Sequence, residues 1–218
     1  MARRAVLFDW RGTLVADPED AWWVAEALRR LGRPTAPTTV AQLVEDLEWA
    51  AGLEQIREGL VDCDCSASRH REATLAHFAA AGLDDDLALA LYELDGDPVA
   101  HPFADDAAAV LTALRARGVA VAVVSDIHFD LRPEFRAVGL FDLVDAFVLS
   151  FEHGMQKPAP EFFLLALDEL GVAPAEALMV GDRASHDGGA VDVGIETLLV
   201  PPLRRPGDSR LSVVLQLV

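Results

Sequence analysis

The sequence predicts an α/β fold, a doubly wound parallel sheet with a helical segment inserted after its first strand. Three observations carry the prediction. Short apolar runs without alternation occur at Ala5–Phe8, Val119–Val124, Ala146–Leu149, Leu178–Val180 and Thr197–Val200, the pattern of strands covered on both faces. Amphipathic segments closed by glycine lie between several of them, so strand and helix alternate. More than a hundred residues separate the first run from the second, too many for one crossover helix, and that gap reads as helix. The order implies a Rossmann-like core of residues 1–15 and 100–218 carrying a helical cap of residues 16–99.

The elements follow in order. Asp17-Pro18-Glu19-Asp20 combines a capping acid, a proline at the first helical position and acids facing the helix dipole. Thr39 and Gln42 read as a capping box ahead of Val40, Leu43, Val44 and Leu47 at helical spacing. Ser66–Ala81 is stopped by Gly82, and Leu87, Ala90, Leu91 and Leu94 form another stripe. In the core, Phe103–Arg117 puts Phe103, Ala107, Val110, Leu111 and Leu114 on one face and stops at Gly118. Pro160–Leu170 closes at Gly171 in the same way, and Pro201–Pro206 reads as a surface loop before a short C-terminal helix.

Composition narrows the function classes. Asp and Glu number 36 against 18 Lys and Arg, a net charge of −18. Without a basic stripe, nucleic acids and anionic membrane surfaces are excluded as partners. An apolar content of 52% supplies a sizeable core. The Ala5–Phe8 run is too short for a signal peptide and no stretch suits a membrane span. Cys63 and Cys65 complete neither a disulfide framework nor a zinc site, which predicts a cytoplasmic protein with two incidental thiols. Seventeen arginines accompany one lysine, Lys157, which points to a position that needs a compact ammonium.

In such sheets ligands bind beyond the carboxyl ends of the strands. The first strand ends in Asp9, the second in Ser125-Asp126, and the fourth in Gly181-Asp182 with Asp187 close behind. Carboxylates converging on one crevice repel unless a cation sits among them, and hard oxygen ligands favour Mg²⁺. Phe8-Asp9-Trp10-Arg11-Gly12-Thr13-Leu14, Val123-Val124-Ser125-Asp126, Lys157-Pro158-Ala159-Pro160-Glu161-Phe162-Phe163 and Val180-Gly181-Asp182-Arg183-Ala184-Ser185-His186-Asp187-Gly188-Gly189-Ala190 then stand in the order of four motifs. Together they resemble the haloacid dehalogenase superfamily of hydrolases, mostly phosphatases, along the whole chain.

The resemblance implies specific roles. Asp9 is expected to attack phosphorus and form an aspartyl-phosphate. Asp9, Asp182, Asp187 and the carbonyl of Arg11 are expected to hold Mg²⁺. Ser125 and Lys157 would bind the equatorial phosphoryl oxygens of a small phosphorylated metabolite, with Asp126 beside them. Gly12 would form a tight turn with its N–H aimed at the phosphate.

Arg11 departs from the pattern. Phosphatases of the family carry there a second Asp that protonates the leaving oxygen, and guanidinium does not titrate below pH ~12. The loss of a general acid costs about 10²–10⁴-fold. Three readings follow: an enzyme for good leaving groups, or one with His128 or His186 as a substitute acid; a catalytically impaired Mg²⁺- and phosphate-binding or regulatory protein; or a branch with other chemistry. A dehalogenase lacks the acid but also replaces the fourth-motif acids that are present here. A phosphonate hydrolase needs a cap lysine, which the composition denies. Trp22 and Trp23 read as cap packing, and Arg29, Arg30 and Arg33 as complements of a helix dipole.

Overall fold

The computed structural model describes residues 3–205, 207 and 209–218. Five parallel strands, β1 (Ala5–Phe8), β2 (Ala120–Ser125), β3 (Ala146–Leu149), β4 (Ala177–Gly181) and β5 (Glu196–Leu199), form one sheet in the order β3-β2-β1-β4-β5. The strand from nearest the N-terminus is central because it is apolar on both faces and every one of its residues is buried. Pleating sends Val6 and Phe8 into one core layer with Val121, Val123, Leu178 and Val180. Ala5 and Leu7 face the other, with Ala122, Val124 and Met179, against Phe162 and Phe163. Phe8 pairs with both Val123 and Val180, so the residues that follow β1, β2 and β4 leave the sheet at one edge.

Helices α1 (Asp20–Arg30), α2 (Pro37–Ala51), α3 (Glu54–Leu60), α4 (Ala67–Ala80) and α5 (Asp85–Asp95) lie between β1 and the core helix α6 (Ala107–Ala116). They share a third apolar cluster built on Val24, Leu28, Val40, Leu87 and Leu91. The core continues with α7 (Arg132–Ala137), α8 (Ser150–His153) and α9 (Pro160–Leu170). Gly118 and Gly171 take positive φ, 71° and 62°, where they end α6 and α9.

Some helix starts fall elsewhere than the sequence predicts. Asp17 and Pro18 precede α1, whose cap position is Glu19 without a side-chain cap, and Asp17 instead pairs with Arg204 at 2.9 Å. Helix α2 begins at Pro37, which places Thr39 inside it, and Gln42 bonds Asp46 rather than closing a capping box. Phe103 is not helical. It forms an antiparallel bridge with Val15, and Ala104 N–H donates to the Leu14 carbonyl, so these residues clamp the two crossings between core and insert. Ser66 does cap α4. The C-terminal helix is a 3-10 segment, Leu211–Gln216, and Pro206 of the expected loop lies outside the described residues.

His101 sits at the second crossing. It is buried, donates from Nε2 to the Asp95 carbonyl at 2.8 Å, and its ring lies 4.7 Å from that of Trp10. Burial, assisted by the Arg11 charge, pushes its pKa from 6.5 down to about 4. Because the unfolded chain protonates first, stability is intact above pH 6.5 and is lost as pH falls toward 4, by up to about 3 kcal/mol. Urea unfolding at pH 7.5 and 4.5 is expected to show a smaller pH gap in His101→Gln than in the wild type.

Candidate active site

The edge where β1, β2 and β4 end gathers the polar residues. Lys157, in the loop between α8 and α9, is wholly buried and donates from Nζ to Asp9 Oδ1 at 2.5 Å and to Asp187 Oδ1 at 2.7 Å. Its backbone N–H donates to Asp126 Oδ1 at 2.9 Å. Thr13 donates to the second oxygen of Asp9 at 3.1 Å, and Arg183 N–H to the second oxygen of Asp187 at 2.8 Å. A cavity of about 140 Å³ opens over this group, with Asp9, Ser125, Asp126 and Asp182 in its wall.

Burial alone would lower the Lys157 pKa, but Asp9, then Asp126 and Asp187, outweigh it and hold the ammonium charged. Among the described residues Asp182 makes no such ion pair, and Arg183 and Lys157 offset its surroundings only in part. Burial and the facing carboxylates of Asp9 and Asp187 push it up to about 6. Its Oδ1 is buried without a hydrogen-bond partner among the described residues, and oxygens of Asp9, Asp182 and Asp187 all lie within 4.8 Å of one another. An orphaned oxygen in a ring of carboxylates is the donor set a hard divalent cation fits. Two glycines make the close approach possible. A Cβ on Gly12, whose φ is +79°, would stand 2.6 Å from Asp182 Oδ2, and one on Gly181 would meet Asp187 Cγ.

The structure therefore brings Asp9, Ser125, Asp126, Lys157, Asp182 and Asp187 together. It corrects the part expected of Gly12: its N–H donates to the Val15 carbonyl at 2.9 Å, inside the turn, so Gly12 contributes space and not a phosphate donor. The Arg11 side chain reaches into the insert and pairs with Asp95 at 2.7 Å, with the Trp10 and Trp23 rings against its guanidinium. Burial would lower its pKa, yet Asp95, Asp17 and Asp64 raise it, so it stays charged.

Asp64, His70 and Asp95 of the insert also line the cavity over Asp9. Sequence reasoning misses them because only the folded insert carries them there. His128 lines it too, whereas His186 bonds Ser185 at 2.9 Å and lies outside its wall. Trp23 is more than packing: with Tyr92 it lines a larger adjoining cavity of about 400 Å³ that shares Arg11, His70 and Asp95 with the first. Arg29 and Arg30 pair with Glu26, and Arg33 with Asp84, away from both cavities.

A parallel sheet with an acid-lined crevice at its carboxyl edge and helices inserted after the first strand is an α/β fold of the class that binds ligands beyond its strand ends. The chain belongs to the haloacid dehalogenase-like hydrolases, whose family pattern matches residues 3–192. It is 32% identical over 200 residues, 82% of this chain and 80% of the relative, to haloacid dehalogenase-like hydrolase domain-containing protein 3 of Mus musculus. A phosphoserine phosphatase of Thermus thermophilus is 37% identical over 114 residues, 51% of this chain and 46% of that one. Matches to the curated relatives of this kind span less than half of their length. Among solved structures, the L-2-haloacid dehalogenase of Xanthobacter autotrophicus superposes with a TM-score of 0.64 at 26% identity, covering 91% of this chain and 77% of that one.

The two acids beside Asp9 are expected to respond oppositely to neutralisation. Asp187→Ala leaves the buried ammonium short of a partner and should cost about 3–5 kcal/mol. In the fold Asp182 ionises only above about pH 6, against 3.8 ordinarily, so at pH 8 its charge is a burden. Asp182→Asn should stabilise metal-free protein by about 1–2 kcal/mol after allowance for its partial exposure. Urea unfolding in chelator at pH 8 measures both.

Proposed function

We propose that the chain is a Mg²⁺-dependent phosphatase for a small phosphorylated metabolite, working through an aspartyl-phosphate on Asp9. The observation that supports this most is the contact of one wholly buried ammonium with both Asp9 and Asp187, beside the orphaned Asp182 oxygen. Residues 16–99 act as the cap, and residues 1–15 and 100–218 as the catalytic core.

Asp9, Asp182 and the Arg11 carbonyl would hold Mg²⁺, with Asp187 at the edge of the set because both its oxygens already accept hydrogen bonds. When bound, the ion supplies positive charge that lets a carboxylate and a phosphate approach each other. Thr13 fixes one oxygen of Asp9, leaving the other to attack phosphorus. Lys157 gives up its bond to that oxygen and donates to an equatorial phosphoryl oxygen, where charge grows in the loose transition state. Ser125 donates to another. Asp126 holds the Lys157 backbone, which keeps the ammonium in line.

With a guanidinium at position 11, the leaving oxygen departs without a proton from that site. Aryl phosphates should therefore be turned over faster than alkyl phosphates, with the gap widened by up to the about 10²–10⁴-fold a general acid supplies to a poor leaving group. The Arg11–Asp95 pair supports the second reading, a protein that binds Mg²⁺ and phosphate with little turnover. Colorimetric phosphate release with Mg²⁺ separates the two. Activity that disappears in Asp9→Asn supports the enzyme. A silent wild type with activity in Arg11→Asp/Asp95→Asn, which removes the guanidinium with the carboxylate it neutralises, supports the binder. Halide release from a 2-haloacid without metal overturns both.

Mg²⁺ dependence should follow Asp182. A proton competes for its oxygen below about pH 6, so the Mg²⁺ concentration for half-maximal activity should rise about tenfold for each further pH unit down to pH 4. A half-saturation unchanged between pH 7 and 5 removes Asp182 from the metal site.

A further inference from the structure

The crevice over Asp9 is small and the space beside it is not. A cavity of about 140 Å³ falls short of the roughly 300–1,000 Å³ of ordinary small-molecule pockets, so it takes a phosphoryl group and little more. The adjoining cavity of about 400 Å³ reaches that range. Arg11, Asp17, His70 and Asp95 line both, so the two spaces meet. The walls of the larger one come from four insert helices: Trp23 of α1, Leu47 of α2, Phe78 of α4, and Leu91 and Tyr92 of α5.

The inner polar groups of this lining are already engaged. His77 Nε2 donates to the Leu47 carbonyl at 2.9 Å, and Thr74 Oγ1 stands 3.4 Å from His70 Nε2. Trp23 Nε1 donates to the Pro18 carbonyl at 3.1 Å, which fixes the indole and leaves its carbons to the cavity. Arg11 pairs with Asp95 at 2.7 Å, and Asp17 and Asp64 act on it as well, so its charge is met more than once before any second anion arrives. Asp20 and Glu48 differ. Both are exposed in the same lining, and among the described residues neither side chain has a hydrogen bond or ion pair. Aromatic walls with unpaired carboxylates on the solvent side attract an organic cation through ring faces and charge alike. They repel a second anion, and the net charge of −18 acts in the same direction.

We propose that this cavity holds the organic part of the substrate, and that the substrate is the phosphomonoester of an aromatic alcohol or phenol that carries an ammonium group and no second anion. The placement rests on the phosphatase reading, which puts the phosphate over Asp9. The ring lies among Trp23, Phe78 and Tyr92, and the ammonium reaches the side of Asp20 and Glu48. The Arg11 guanidinium, 6.0 Å from the centre of the Trp23 ring, backs that wall.

Binding and turnover test this separately. Calorimetry on the full-length protein with Mg²⁺ compares para-(aminoethyl)benzylphosphonate with para-(carboxyethyl)benzylphosphonate, neither of which has an ester to hydrolyse. Each exposed charge pair is worth up to about fivefold, so the amine is expected to bind about tenfold more tightly. Trp23→Leu should weaken both ligands by about 3–10-fold. Asp20→Asn/Glu48→Gln, at two exposed positions, should bring their ratio near one with circular dichroism unchanged. In parallel, phosphate release is measured from para-(aminoethyl)phenyl and para-(carboxyethyl)phenyl phosphate. The ethyl spacer insulates the phenoxide from either charge, so the leaving groups match and kcat/KM should favour the amine by the same factor. Equal affinities, tighter binding of the carboxylate, or a preference that survives Asp20→Asn/Glu48→Gln overturns the assignment of the cavity. Phosphate release without preference for the amine also overturns it and leaves the phosphatase reading standing. A preference in binding without release from either ester supports the cavity and overturns the phosphatase reading instead.

Discussion

The ammonium of Lys157 is the interaction on which the crevice depends. Asp9 and Asp187 are both buried beside it, and burying two carboxylates side by side is costly without a positive charge between them. The geometry follows from the topology. β1 delivers Asp9, β4 and its following turn deliver Asp182 and Asp187, and the loop before α9 lays the Lys157 backbone against Asp126. A guanidinium could not replace this group. It would present a fork to acceptors that follow different strands and need one compact donor centre.

Most of this framework was legible because it is local. Uninterrupted apolar runs mark strands buried on both faces, and Asp9, Ser125, Asp126 and Asp182 come directly after them. The single lysine among seventeen arginines marked Lys157 by composition. Helix starts are less legible, since Asp17-Pro18 and Thr39 carry helix-start chemistry that the tertiary structure does not use. Phe103 shows the same limit: its apolar spacing suits helix, but pairing with Val15 holds it extended. The turn consumes the Gly12 N–H, which the sequence does not reveal: a positive φ can be anticipated from sequence while the direction of a donor cannot.

Asp64, His70 and Asp95 were not legible at all. They lie on three different segments of the insert, none of which has a motif, and meet Arg11 and His128 only when those helices close over the core. Position 11 is thus best understood across that boundary. The residue two positions after Asp9 that breaks the expected pattern completes an ion pair with α5, so the crevice and the attachment of the insert are physically linked.

The burial of the one lysine also shapes the exterior. Its Nζ is wholly enclosed, so the 218 residues carry no ε-amino group on their surface. Acetyl or ubiquitin transfer to lysine has no target there while the fold holds. Every other side-chain cation, histidine apart, is a guanidinium whose charge is permanent at physiological pH.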